Sequence, residues 1–238
     1  MIGTTLRRNE AVLDKARVSG TDVATPSGTA RLTWHPAGSP APRGTTGLLL
    51  LGHGAGGGIT APDLLRVASV AVDAGMAVGL VEQPYRVAGR RPPSPAAALD
   101  AALVAVTARA RKALLRKGST PPPIILGGRS SGARVACRTA RQIGAAGVLA
   151  LAFPLQPPRR STGHEPPSRL PELRDAGVPI LVVQGERDPF GSATVLGDAV
   201  ASAGIPDVVV QAAPGADHAL RKGVDALMVA TWLARFLP

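Results

Sequence analysis

An α/β architecture, a mostly parallel central sheet with helices on both faces, is the fold class this sequence predicts, on the strength of three observations. Brief apolar, β-rich runs alternate with longer Ala-rich runs at helical spacing, the pattern of strands crossed over by helices. Several of the apolar runs end in glycine-rich turns, where an open sheet of this class presents its functional groups. At 238 residues and 45% hydrophobic content, the chain is long enough for one full-sized core, so residues 1–238 are read as one domain.

In chain order, Thr21 to Ala24 and Thr29 to Trp34 flank Pro26, Ser27 and Gly28 and predict an antiparallel hairpin that opens the sheet. Buried strands are predicted at Thr46 to Leu51, Ala77 to Val81, Pro123 to Leu126, Val148 to Ala152, Ile180 to Gln184 and Val208 to Ala212, each a short apolar run with a polar, Gly or Pro stop. Helices are predicted at Ala61 to Ala74, Pro95 to Lys117, Gly132 to Ile143, Ser192 to Ala203 and Ala219 to Phe236. In the second, Leu99, Leu103, Val106 and Ala110 recur on one face. The stretch Phe153 to Pro171 breaks the composition with six prolines, a density that argues against helix or central strand. It is read as a minimal Pro-rich cap loop lying over the site.

Composition excludes several functions. The net charge of +11 invites an anionic partner, yet only Lys15, Lys112, Lys117 and Lys222 are lysines, and the arginines are scattered in ones and twos without an aromatic stacking platform. No nucleic-acid partner is expected. Charged residues interrupt the first 20 positions, so no signal peptide is read, and no run is apolar enough to span a bilayer. A soluble cytoplasmic protein with no membrane partner is expected. The single Cys137 rules out an internal disulfide and is read as a small buried residue. Neither H-E-x-x-H nor clustered ligand spacing occurs, so no metal and no cofactor are expected.

Three glycine-framed strings carry the chemistry: Gly128-Arg129-Ser130-Ser131-Gly132, then Gly185-Glu186-Arg187-Asp188, then Gly215-Ala216-Asp217-His218. A serine hydroxyl becomes a useful nucleophile only beside a base that takes its proton, and the base needs a group to orient it. Ser130, His218 and Asp188 supply those roles in the chain order Ser, Asp, His. Ser130 lies between a strand and a helix, with Gly128 and Gly132 leaving room for close backbone approach. Glu186 and Asp217 are competing carboxylates; Asp188 is preferred because it ends its string. His35 is assigned a structural role, and His164 falls in the Pro-rich stretch.

A tetrahedral intermediate also needs two N–H donors for its oxyanion. The apolar Leu48 to Leu51 runs into Gly52-His53-Gly54-Ala55-Gly56-Gly57-Gly58, a turn able to bring backbone against substrate. The N–H groups of Ala55 and Ser131 are the predicted donors, with His53 and Gly54 supporting the turn. A phosphate loop is the rival reading, but neither a Lys-Ser/Thr ending nor a G-x-G-x-x-G leading directly into a helix is present.

Leu-Gly-His53-Gly-Ala55-Gly-Gly, Gly-Gly-Arg-Ser130-Ser-Gly-Ala-Arg, Phe-Pro-Leu-Gln-Pro-Pro, Gln-Gly-Glu-Arg-Asp188-Pro-Phe-Gly and Ala-Asp-His218 together resemble the α/β-hydrolase superfamily. Within it they are similar to the small-hydrolase branch of testis-expressed protein thirty and dienelactone-hydrolase-like proteins. The resemblance runs from about Thr29 to the C-terminus and implies the α/β-hydrolase fold; Ser131 and Ala133 stand where that branch often has Met and Gly. The expected function is hydrolysis of a small carboxylic ester or thioester through an acyl-enzyme. A non-catalytic binding or scaffold protein and a peptidase or amidase are the alternatives. Arg129, Arg159, Arg160 and Phe190 are candidate substrate contacts favouring an anionic acyl group; oligomeric state is not legible.

Overall fold

The computed structural model describes residues 20–36, 44–91, 93–115, 120–157 and 167–238. Its strands are β1 (Thr21–Thr25), β2 (Gly28–His35), β3 (Leu48–Gly52), β4 (Ala77–Glu82), β5 (Ile124–Arg129), β6 (Gly147–Leu151), β7 (Ile180–Gly185) and β8 (Val208–Ala213). They form one eight-stranded sheet in the order β1-β2-β4-β3-β5-β6-β7-β8. The β1–β2 hairpin and the β2–β4 pair are antiparallel; every pairing from β4 to β8 is parallel.

From β3 to β7 the apolar runs are continuous because these strands are covered on both faces. Successive residues of β3 point opposite ways: Leu48 and Leu50 join one core with Leu126, Val148 and Val182, while Leu49 and Leu51 join the other with Ile125, Leu149 and Val183. The first core is closed by α3 (Ala96–Leu114), α4 (Ser131–Ile143), α5 (Leu170–Ala176) and α6 (Ala193–Ser202), the second by α1 (Pro62–Asp73) and α7 (Ala226–Ala234). A single turn of helix, α2 (Pro84–Val87), follows β4. Cys137 is fully buried on α4, and burial pushes its thiol far above the ordinary range. No described helix is long and apolar enough to cross a membrane.

The predicted strands and the first four predicted helices occur at their expected places, but Val208 to Ala212, read as a buried strand, is the uncovered edge of the sheet with Val209 43% exposed. The turn of helix α2 is not among the predicted elements, and two further segments differ. The last helix begins at Ala226, not Ala219. Asp225 caps it, its Oδ1 accepting from the N–H groups of Leu227 at 2.8 Å and Met228 at 3.2 Å. Upstream, Leu220 at φ 45° and Gly223 at φ 90° lie in the left-handed region, so helical composition there yields to a turn.

The second difference is α5, which contains Pro171 although the proline density argued against helix. Pro171 stands in its first turn, where the missing N–H has no intrahelical partner to lose. Salt bridges tie α5 and α3 to α4: Arg134 to Glu172 and Arg138 to both Asp100 and Glu172. Of the Pro-rich stretch, residues 158–166 lie outside the described residues. Its inner flanks are anchored, with the Arg169 N–H donating to the Leu155 carbonyl at 2.8 Å and the Gln156 N–H to the Phe190 carbonyl at 3.0 Å.

Candidate active site

The register of the sheet brings the glycine-rich turns together. Gly52, the last residue of β3, pairs with Gly128 of β5, so the turn beginning at His53 and the serine at 130 leave the sheet side by side. The approach is too close for side chains: a Cβ on Gly128 would sit 2.5 Å from the Gly52 carbonyl oxygen, and one on Gly132 would collide with the same group. Ser130 turns the chain from β5 into α4 at φ 53° and ψ −109°, a left-handed φ rare for a residue with a side chain. Its own N–H is held by the Leu151 carbonyl at 2.8 Å.

Beyond the neighbouring strand ends, β7 and β8 deliver the other two groups. The Oγ of Ser130 lies 3.0 Å from Nε2 of His218, and Nδ1 of His218 lies 2.7 Å from Oδ2 of Asp188. These contacts fit one tautomer, in which Nδ1–H donates to the carboxylate and Nε2 accepts from the serine hydroxyl. The Asp188 side chain is fully buried and that of His218 is 21% exposed, so of this pair the imidazole reaches the solvent side. The Phe190 ring packs edge-on against the imidazole at 4.6 Å between centroids, and the Phe190 N–H donates to Oδ1 of Asp188 at 2.9 Å.

The competing carboxylates are used elsewhere. Oε2 of Glu186 accepts from the Gly215 N–H at 2.8 Å, and Oδ1 of Asp217 accepts from the Ala219 N–H at 2.9 Å. Both shape the turn that carries His218. His35 is buried within β2, where burial lowers its pKa, while His164 lies outside the described residues.

The turn after β3 is stapled from within. The Gln83 N–H donates to Nε2 of His53 at 3.1 Å, which leaves the ring proton on Nδ1 to donate to the Gly54 carbonyl at 2.8 Å. His53 is 2% exposed, and burial lowers its pKa and keeps the ring neutral. A second bond reaches the same carbonyl from the Gly57 N–H at 3.2 Å. In a trans peptide the C=O and N–H point oppositely, so fixing the Gly54 carbonyl fixes the direction of the Ala55 N–H. Tyr85 adds a bond from its hydroxyl to the Ala55 carbonyl at 3.2 Å. A Cβ on Gly54 would lie 3.5 Å from Cβ of Ser130, so this turn abuts the serine. Ser131, the first residue of α4, has an N–H without an intrahelical acceptor at the positive end of the helix.

Sequence reasoning missed three residues here. Gln184, next to last in β7, has a wholly buried side chain, and its Nε2 lies 3.1 Å from Oδ2 of Asp188, 3.1 Å from the Phe153 carbonyl and 2.6 Å from the Gly191 carbonyl. One polar residue ending an otherwise apolar strand was its only signal. Tyr85 and Asp63 gave none. Asp63, in the first turn of α1, is 1% exposed and lies 3.1 Å from Nε of Arg129; burial raises its carboxyl to about 6 against the pull of that guanidinium.

Of the candidate substrate contacts, Phe190 flanks the imidazole, whereas Arg159 and Arg160 lie outside the described residues. Arg129 is tied down rather than presented: besides Asp63, its Nη2 donates to the His218 carbonyl at 2.8 Å, and its side chain is 16% exposed. Among the described residues no group of His, Cys, Asp and Glu side chains is arranged to hold a metal ion.

A family model described as an alpha/beta hydrolase domain matches residues 45–226. A search of curated proteins finds no match. Among solved structures, an α/β serine hydrolase without a lid from Xanthomonas campestris superposes with a TM-score of 0.69 at 17% identity, covering 92% of this chain and 95% of that one. An α/β serine hydrolase homologue from Coxiella burnetii gives 0.67 at 17% identity, covering 92% and 97%. A dienelactone hydrolase from Anabaena variabilis gives 0.65 at 18% identity, covering 92% and 97%. At these identities the superpositions describe a shared fold.

Proposed function

The chain belongs to the α/β hydrolase family, and on that premise we propose that it is a serine hydrolase cleaving a small carboxylic ester or thioester through an acyl-enzyme. The observation that carries this reading is the unbroken path from Ser130 Oγ through both ring nitrogens of His218 to the buried carboxylate of Asp188, at 3.0 and 2.7 Å.

Ser130 Oγ attacks the carbonyl carbon while Nε2 of His218 takes its proton. Asp188 holds the ring in the required tautomer and stabilises the imidazolium. The carbonyl oxygen gains negative charge and is met by the N–H groups of Ala55 and Ser131, each such donor being worth about 3 kcal/mol of barrier. His218 then gives the proton to the leaving alcohol or thiol. In the second half it takes a proton from water, whose oxygen attacks the acyl carbon, and returns it to Ser130.

Activity-based labelling is the test. A fluorophosphonate probe should label the wild type at Ser130 and leave Ser130→Ala unlabelled, and p-nitrophenyl and thioester substrates of graded acyl length should then be turned over. A wild type that resists the probe while retaining a protein partner in pull-down would instead make it a binding protein on this fold.

A further inference from the structure

Arg129 precedes the serine and stands at the carboxyl edge of β5, between the turn after β3 and the turn after β8. Its guanidinium reaches three elements at once. Nε lies 3.1 Å from Oδ2 of Asp63 in the first turn of α1, and Nη2 donates to the His218 carbonyl at 2.8 Å. Nη1 borders the turn after β3: a Cβ on Gly54 would lie 3.2 Å from it, and one on Gly57 3.8 Å. Asp63 is the only carboxylate paired with it among the described residues. The guanidinium is the charge that most offsets the burial of this carboxylate, with the backbone N–H groups of Asp63 and Leu64 at the start of α1 as lesser partners.

We propose that Arg129, anchored by Asp63, is a positioning residue that sets the backbone carrying His218 against the turn carrying Ala55. This rests on the serine hydrolase reading above, and it assigns the arginine a structural contact within the machinery in place of a charge offered to substrate. A planar fork directs Nη2–H at the His218 carbonyl while Nε faces Asp63 and Nη1 abuts the turn after β3; a lysine ammonium on its flexible stem has no such fixed geometry. The geometry also explains why a charged residue occupies the end of a buried strand. Its stem leaves the sheet beside the serine, and its head closes the gap between two turns that belong to different strands.

The test uses the full-length chain and p-nitrophenyl acetate. Arg129→Ala and Arg129→Lys should each lower kcat and the fluorophosphonate labelling rate by about 100-fold, the scale of a small misplacement of reacting groups, with KM within about twofold. Low, non-denaturing guanidinium should restore at least about tenfold of the Arg129→Ala rate and do nothing for the wild type. Asp63→Asn, nearly isosteric, should lower kcat in the same sense and keep the far-ultraviolet circular dichroism of the wild type.

Wild-type kcat in a folded Arg129→Lys would overturn the proposal. So would a loss confined to KM and to anionic acyl esters, which would return Arg129 to substrate binding. If the wild type is itself unlabelled and Ser130→Ala changes nothing, the hydrolase reading fails first and this role goes with it. Labelling of the wild type with an indifferent Arg129→Lys sinks only this inference.

Discussion

The two halves of the site are held by different means. On one side, the serine turn and the turn after β3 are set by backbone against backbone: Gly52, Gly128 and Gly132 meet where no side chain fits, and His53 and Tyr85 bind main-chain carbonyls. On the other, one close backbone approach, of Gly185 to the Ala216 and Asp217 carbonyls, is joined by a set of side chains: Gln184, Asp188, Glu186 and Asp217 each anchor a particular group of the loops after β7 and β8. The first half should fail by steric conflict, as a loss of fold. The second should fail by lost orientation, as a loss of rate from a folded protein.

Mutation tests this contrast. The largest effect should come from Ser130→Ala, which removes the attacking atom and lowers kcat/KM for p-nitrophenyl esters by about 10⁴-fold or more, with thermal unfolding little changed. Asp63 comes next and concerns the join between the halves. Its folded carboxyl, raised to about 6 from 3.8, holds its proton more tightly than the unfolded one. Its contribution to stability is therefore full below about pH 4 and is lost as pH rises through about 6. Urea titrations from pH 4 to 7 should show this component, up to about 3 kcal/mol, in the wild type and lack it in Asp63→Asn.

Gly128→Ala forces a methyl against the Gly52 carbonyl and should cost about 2 kcal/mol of stability in chemical denaturation. Gly56→Ala, with nothing within 4 Å, should stay within about 0.5 kcal/mol. Equal losses for these two glycines would break the claim that backbone approach builds the first half. Below Gly128→Ala in size, with Gly56→Ala as the silent control, comes Gln184→Met, which withdraws a buried donor from Asp188. We expect about a tenfold drop in kcat with KM unchanged, seen in steady-state kinetics. A drop in stability without one in rate would erase the distinction between the halves.

The same division explains what could be read from sequence. Continuous apolar runs such as Leu48–Leu51 betray strands covered on both faces, and glycines framing Ser130 betray a forced close approach; both signals are local. The loops after β7 and β8 were legible where Asp188 and His218 end their strings. Gln184 and Asp63 were not, because each acquires its role only when distant segments of chain are brought to it. The start of α7 was misread for a related reason. Ala219 and Leu220 favour helix, but the left-handed turns at Leu220 and Gly223 and the cap at Asp225 decide the matter. At Pro171 the error ran the other way, since a proline harmful inside a helix is harmless at its start.

Cys137, sealed inside on the inner face of the helix that follows the serine, has a practical consequence. Maleimide dyes and nitroxide spin labels should find no native target in the folded chain. A cysteine placed at the exposed Arg187 or Asp217 would accept one tag, whose spectrum would report the mobility of the histidine loop with and without a bound inhibitor.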